Sequence, residues 1–295
     1  MVTSARAGAP STTVALLQVL RPQLWPRNLL VAAAPIAAGT LLQQSVLLRT
    51  GQAFVALCLA ASGAYCLNDV VDAPADARHP SKRLRPVASG RVRAAQAVVL
   101  SVVLMVASVV LAWPGSLRWV VVAYLLLTSA YSMGLKREPV VELAVVAGGF
   151  LLRAIAGGAA TDTPISTWFL IVTGFGSLFM VTGKRLSELV TSGAASGTRS
   201  SLGAYSESYL RLVLGVSAAV AIAGYCLWAF GITTEGVEST YAALSVVPFV
   251  LAVLRYALDV DRARAQEPEH VVVGDRVLQV LALVWAVTFW LAAMT

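Results

Sequence analysis

Long apolar stretches, each about as long as a bilayer is thick, follow one another from residue 25 to residue 293, with little but short charged loops between them. A helix needs ~20 residues to cross the hydrocarbon core. Lipid offers no water to the peptide groups, so only helices or a closed barrel can span it. The stretches are continuously apolar rather than alternating, which selects helices. About nine spans of this length can be drawn, over residues 25–47, 52–68, 94–113, 117–134, 140–160, 165–183, 209–232, 240–258 and 272–293. The expected fold class is an all-α polytopic membrane bundle. Pro35 and Pro248 fall inside spans and should kink them. With 58% of the 295 residues hydrophobic and 13% charged, the chain has too little polar surface for a soluble domain. No internal repeat or soluble segment interrupts the pattern, so residues 1–295 read as a single transmembrane domain. Residues 1–20 read as a flexible cytoplasmic tail. They contain no compact apolar run ahead of a small-residue cleavage site, so no removable signal peptide is expected.

Charge orients the bundle. All but three of the 22 lysines and arginines fall in the tail or in loops on one side; Arg49 and Arg118 lie opposite and Arg153 lies inside a span. The positive-inside rule puts the N-terminus and the charged loops in the cytoplasm, and nine spans then put the C-terminus outside. The net charge of +7 reads as basic cytoplasmic loops rather than as a nucleic-acid surface. Cys58, Cys66 and Cys226 lie in or at the ends of apolar segments without CxxC spacing, and read as small core residues rather than disulfides or metal ligands.

At the end of the second span stands Asn68-Asp69-Val70-Val71-Asp72-Ala73-Pro74-Ala75-Asp76. Asp69, Asp72 and Asp76 are spaced i, i+3 and i+7 and would share one face of a continuous helix, although Pro74 should bend or end it. Carboxylates at a helix C-terminus face the negative end of the dipole and need compensation. Mg²⁺ supplies it, taking carboxylate oxygens and sharing its other positions with phosphates. The plainer reading is a solvated acidic loop paired with its own arginines. Arg78, His79, Lys82, Arg83 and Arg85 follow, donors suited to phosphate oxygens or equally to lipid headgroups.

The stretch from Asn68 to Gly90 resembles the first signature of the UbiA-type intramembrane prenyltransferases, and the resemblance extends to Tyr131-Ser-Met-Gly-Leu-Lys136 and to the number of spans. It implies a nine-helix bundle with a cytoplasm-facing cavity in which Asp69 and Asp72, with Asn68 and Asp76, hold Mg²⁺ and a diphosphate. Aromatic prenyltransferases of that superfamily carry a second Asp-rich motif after the sixth span. Here that region reads Thr182-Gly-Lys-Arg-Leu-Ser-Glu-Leu189, with cations at Lys184 and Arg185 and one acid, Glu188. With Leu135–Leu143 and Leu151–Gly158, this is similar to the decaprenyl-phosphate phosphoribosyltransferase branch. That branch transfers 5-phosphoribose from phosphoribosyl diphosphate to a polyprenyl phosphate, toward arabinan precursors of actinobacterial cell walls. The resemblance thus implies a plasma-membrane enzyme whose partners are those two substrates and membrane lipids. The runner-up is an aromatic prenyltransferase of quinone or haem biosynthesis, and a third reading is a transporter using Arg153 and Glu142 as a relay. Self-association, a trimer in the first instance, is carried as an expectation that no residue specifies.

Three anionic groups in one cavity call for more cations and fewer acids than a prenyl transfer does. Lys136, Arg137, Lys184 and Arg185 are the candidates, beside Tyr131 of the resembling motif; Glu188 could pair with Lys184 or bind metal. Direct displacement at the anomeric carbon needs no protein base, because a lipid phosphate is already ionised, and His79 and His270 lie in loops without a carboxylate partner in sequence. Glu142 and Arg153 are eleven residues apart, about three turns. They read either as a structural pair or as a cavity lining that orients ribose or phosphate. Arg21 and Arg27 read as topology signals beside Asn28, Trp25 as an interfacial anchor, and Asp259–Glu269 as a solvated mixed-charge loop.

Overall fold

The computed structural model describes residues 12–113, 115–192, 201–234, 240–265, 271 and 273–294. Every long element among them is helical: α1 (Thr12–Leu20), a 3₁₀ segment (Pro22–Ala32), α2 (Ala33–Ala37), α3 (Gln44–Asp76), α4 (Ala94–Leu111), α5 (Leu117–Met133), α6 (Val141–Thr161), α7 (Thr167–Ser192), α8 (Glu207–Thr234), α9 (Thr240–Asp261) and α10 (Arg276–Met294). Seven of these, α3, α4 and α6 to α10, are long and apolar enough to cross a membrane, and α5 is a shorter apolar helix.

The expected first span, 25–47, is not one helix. Pro26 and Pro35 within it, and Pro22 just ahead, each lack an N–H, so three prolines close together weaken an α-helical ladder here, and the chain winds as 3₁₀ before a single turn or so of α2. Gly39 ends that turn at φ +66, where a side chain would be strained and a Cβ would also come within 3.0 Å of the Ala293 carbonyl. The second span begins earlier and ends later than its apolar run, as the 33-residue α3. Contrary to expectation, Pro74 neither breaks nor ends it: it sits in the last turns, and the helix closes at Asp76 with the Ala77 N–H bonded to Ala73 O. Pro248 is likewise accommodated inside a continuous α9. Part of the expected tail is ordered too. Ala15 and Val19 of α1 are buried in a cluster with Cys66 of α3 and Val87, Val92 and Ala97, so the apolar face of this short helix is what holds it down.

Small residues set the packing. Ala53, Ala56, Ala60, Ala61 and Ala64 of α3 are buried, and with no hydrophobic drive between helices in lipid, close backbone approach supplies the contact. Ser101 of α4 donates to the Gly63 carbonyl at 2.7 Å. The tightest approach brings α6 onto the 3₁₀ segment, where a Cβ at Gly157 would lie 1.8 Å from the Val31 carbonyl oxygen. One core joins α3, α5, α6 and this segment; a second joins α6, α7, α9 and α10 with Tyr205 and Leu210. Helix α6 belongs to both.

Gly157→Ala should therefore destabilise the protein by about 3 kcal/mol or more, because the obstacle is backbone rather than a movable side chain. Gly215→Ala, where nothing lies within 4 Å, should leave stability unchanged or slightly raised. Thermal unfolding of the two variants in detergent checks the contrast.

Candidate active site

Between the two cores lies an open cavity of roughly 2570 Å³ whose two ends differ in chemistry. One end is lined by Asn68, Asp69, Asp72 and Asp76 of α3, by Arg21 and Arg27 at the 3₁₀ segment, by His79, Lys82 and Arg85, by Tyr131, Lys136 and Arg137, and by Lys184 and Arg185 of α7. The other is lined by Tyr225, Trp228, Phe249, Trp285 and Phe289. Their rings pack on one another, Tyr225 stacked on Phe249 at 4.1 Å and Trp285 tilted against Phe289 at 5.4 Å between centroids.

Because α3 continues to Asp76, its three acids do share a face, and each meets a cation. Asp69, only 2% exposed, receives Arg21 Nη2 at 2.5 Å, with Arg85 Nη1 at 3.7 Å. Arg85 bridges onward to Asp76 at 2.6 Å. Lys136 Nζ donates to Asp72 Oδ1 at 2.5 Å and to Asn68 Oδ1 at 3.1 Å, while Asn68 Nδ2 donates to Asp72 Oδ2 at 3.0 Å. The acids thus form neither a loop nor a solvated patch. Among the described residues no three His, Cys, Asp or Glu side chains converge as a ready metal cage. This donor set, hard carboxylate oxygens facing a roomy cavity, instead fits the way Mg²⁺ is held by one or two carboxylates and completed by phosphate oxygens. Asp69, Asp72 and Asp76 are the residues that would hold it.

Other expectations are redistributed. Arg78 and Arg83 are exposed and do not line the cavity; Arg83 Nε donates to the Pro80 carbonyl. His79 Nδ1 accepts from the Ser81 and Lys82 amides and so shapes the loop. Glu142 and Arg153 do not pair with each other. Glu142, fully buried and away from the cavity, takes both Arg185 Nε at 2.8 Å and Nη2 at 2.9 Å. Glu188 takes Arg185 Nη1 at 3.1 Å. Arg153 donates instead to Asn28 Oδ1, Gly149 O and Tyr124 Oη. A partner on a neighbouring helix is nearer to each of them than one three turns away on the same helix.

The residues ahead of the first span carry more than topology. Arg21, at φ 52, lies 5.3 Å over the Tyr65 ring and reaches Asp69. Trp25 Nε1 donates to Ser62 Oγ, which donates to Leu20 O, and Asn28 Nδ2 donates to Cys58 Sγ. The usable signal was Arg-Pro followed by Trp-Pro: irregular backbone at membrane depth is tolerated where it is buried in protein or lines a cavity.

Two loop features complete the site's frame. Val140 enters α6 at φ 66, an uncommon conformation for a β-branched residue, and its N–H donates to Tyr205 Oη at 2.7 Å. Burial pushes the Tyr205 phenol up. Burial is uneven over residues 259–265, the described part of the mixed-charge segment, where Asp261, Arg262 and Arg264 are exposed. Asp259 is buried, Arg211 reaches Asp261 at 2.5 Å, and the hydrogen bond from Arg255 holds the Asp275 carboxyl down at about 2. His270, Glu267 and Glu269 lie outside the described residues.

Helices of membrane-crossing length around a cavity ionic at one end and aromatic at the other define the class: an integral membrane protein with an amphiphilic internal site. The chain belongs to the UbiA prenyltransferase family, whose profile matches residues 28–278. It is 46% identical over 287 residues to the decaprenyl-phosphate phosphoribosyltransferase of Mycobacterium tuberculosis, covering 95% of this chain and 94% of that one. The protein of the same name from Mycolicibacterium smegmatis is 43% identical over 294 residues, covering 95% and 92%. A UbiA homolog from Archaeoglobus fulgidus, solved bound to GPP and Mg²⁺, shares the fold at a TM-score of 0.73 and 12% identity, over 94% of this chain and 98% of that one.

The buried Glu142–Arg185 pair yields a prediction. Arg185→Leu or Glu142→Leu alone strands a charge and should destabilise by about 3–5 kcal/mol, whereas the double leucine variant should be more stable than either. Thermal unfolding of the three proteins decides it; a loss in the double variant equal to the sum of the two single losses would mean that the pair is not coupled.

Proposed function

We propose that this protein transfers the 5-phosphoribosyl group of phosphoribosyl diphosphate to a polyprenyl phosphate, decaprenyl phosphate as the relatives' name has it, and releases diphosphate. The observation that carries the reading is Lys184 on α7, a cation lining the same cavity as the acids of α3, beside Arg185, which Glu142 and Glu188 hold in place. A prenyl diphosphate and an apolar acceptor bring one anionic cluster, which the acids of α3 and their cations would serve. A phosphosugar and a phospholipid acceptor bring two further phosphates, and the cavity offers Lys184, Arg137, Arg27 and Lys82 for them.

In this mechanism a lipid phosphate oxygen attacks the anomeric carbon as the bond from that carbon to the diphosphate oxygen breaks, and the diphosphate leaves with the electron pair. Mg²⁺, when bound at Asp69 and Asp72, supplies Lewis-acid neutralisation of the departing group. Arg21, Arg85 and Lys136, already beside these acids, are placed to bond the diphosphate's remaining oxygens. Asn68 orients Lys136 and Asp72 together. Arg185, held by Glu142 and Glu188, fixes the α7 wall from which Lys184 contacts phosphate. Tyr131 lines the cavity with Lys136. No side chain needs to take a proton, since the attacking phosphate is ionised near neutral pH. The aromatic end holds the isoprenoid chain, and the site opens to the cytoplasm in a plasma membrane with the N-terminus inside, the product serving cell-wall arabinan synthesis.

Membranes containing the protein, given radiolabelled phosphoribosyl diphosphate and polyprenyl phosphate, should yield a labelled lipid, and chelation of Mg²⁺ should stop it. Asp69→Asn and Asp72→Asn should each slow transfer by roughly 100-fold or more, because an amide can coordinate a cation without neutralising it. Folded variants with wild-type rates would remove the acids from the metal site. Orientation has its own test: a cysteine at the exposed Ser89 should react with an impermeant maleimide only in inverted vesicles, and one at Gly115 only in intact cells. The reverse pattern would put the cavity mouth outside.

A further inference from the structure

Arg153 lies twelve residues into α6, roughly 18 Å along the helix from Val141, and is 6% exposed while still lining the cavity. Its Nε donates to Asn28 Oδ1 at 2.7 Å, Nη1 to Gly149 O at 2.8 Å and Nη2 to Tyr124 Oη at 2.8 Å. The guanidinium lies against the rings of Tyr124 at 4.9 Å and Phe150 at 5.1 Å. Every acceptor it uses is neutral. The other buried basic side chain of the site, Arg185, is matched by Glu142 and Glu188; the acids of α3 are matched by Arg21, Arg85 and Lys136. Among the described residues, Arg153 therefore brings a full positive charge to membrane depth without a protein counter-charge in its contact shell, and such a charge is unfavourable unless an anion joins it.

Bracing does not account for the charge. A neutral amide could tie Asn28 to Tyr124, and it would not carry an unbalanced cation into a span. A guanidinium has five N–H donors, and the three bonds described use one on each nitrogen. One N–H remains on each terminal nitrogen, a pair suited to two oxygens of one phosphate. Asn28, Tyr124 and the Gly149 carbonyl fix the fork before any ligand arrives.

We infer that Arg153 is a specificity-determining residue that binds a phosphomonoester dianion in the membrane-embedded part of the cavity, and so selects substrates carrying such a group. The inference rests on the phosphoribosyl-transfer reading, in which the diphosphate is served from the α3 side and two phosphomonoesters remain: the 5-phosphate of the donor and the phosphate of the lipid acceptor. Both present the same three oxygens, and kinetics tells them apart.

The test uses the full chain in lipid nanodiscs, with the KM for phosphoribosyl diphosphate and for polyprenyl phosphate measured separately in wild type, Arg153→Gln and Arg153→Lys. Arg153→Gln should raise one of the two KM values at least about tenfold and leave the other within about twofold, and Arg153→Lys should recover only part of the loss, since it restores the charge but not the planar fork. The KM that moves names the phosphate. If both values hold while the unfolding temperature falls, Arg153 is a brace and the inference is overturned; an equal rise in both, from a collapsed cavity, overturns it too. Should Arg153→Gln not fold, Arg153→Lys and Tyr124→Phe replace it. A selective rise in the same single KM in both supports the inference, and unchanged values in both overturn it. If wild-type protein makes no labelled lipid at all, the transfer reading fails and this inference falls with it; if wild type transfers and the variants bind both substrates normally, this inference alone fails.

Discussion

Lipid gives a charge nothing to pair with, and the interior of this protein is organised by that restriction. Glu142 and Arg185 meet with two parallel hydrogen bonds where neither is exposed. Arg153 is surrounded by an amide, a phenol and a carbonyl. The acids of α3 each face a cation drawn from another segment. In water such pairs would contribute little; at membrane depth, losing one partner is what destabilises. The charged side chains consequently gather around one shared space, and that gathering makes a cavity able to receive phosphates.

The same restriction explains how a broken first segment survives. Its prolines remove backbone donors, and its 3₁₀ turns hold their hydrogen bonds less well than an α-helix. The segment is secured from outside its own ladder by Trp25 on Ser62, Asn28 on Cys58 and Arg153, and Gly157 of α6 against Val31. Irregular backbone lets Arg21 project toward Asp69, a direction a straight helix starting at residue 25 would not offer. Local strain and functional placement coincide here, as they do at Val140.

Much of the fold was legible because lipid enforces long apolar runs, and seven of the drawn spans correspond to helices of crossing length; two of those helices, Gln44–Asp76 and Thr167–Ser192, run well past the spans 52–68 and 165–183 drawn for them. Hydropathy averages over a window and is blind to missing N–H donors, so the first span was drawn straight through Pro26 and Pro35. The acidic face of α3 followed from the spacing i, i+3, i+7 once the helix ran on past Pro74. Its partners did not follow: Arg21 stands 48 residues from Asp69 and Lys136 stands 64 from Asp72, separations that no periodicity encodes. Glu142 reads from sequence as a partner of Arg153 or a cavity lining and Arg185 as a phosphate contact; their pairing with each other, 43 residues apart, escapes a single-helix argument, which sees only one wall of a bundle.

The bidentate Glu142–Arg185 contact also bears on how the polypeptide enters the bilayer during synthesis. Helix α6 carries Glu142 and Arg153, and α7 carries Lys184, Arg185 and Glu188. Released singly, α6 would leave a carboxylate and a guanidinium facing acyl chains. Only five residues, 162–166, separate the two helices, so they can leave the translocon as a hairpin with opposite charges already apposed. Biogenesis of this half of the protein is then cooperative: the pairing that orders the mature wall also makes it insertable.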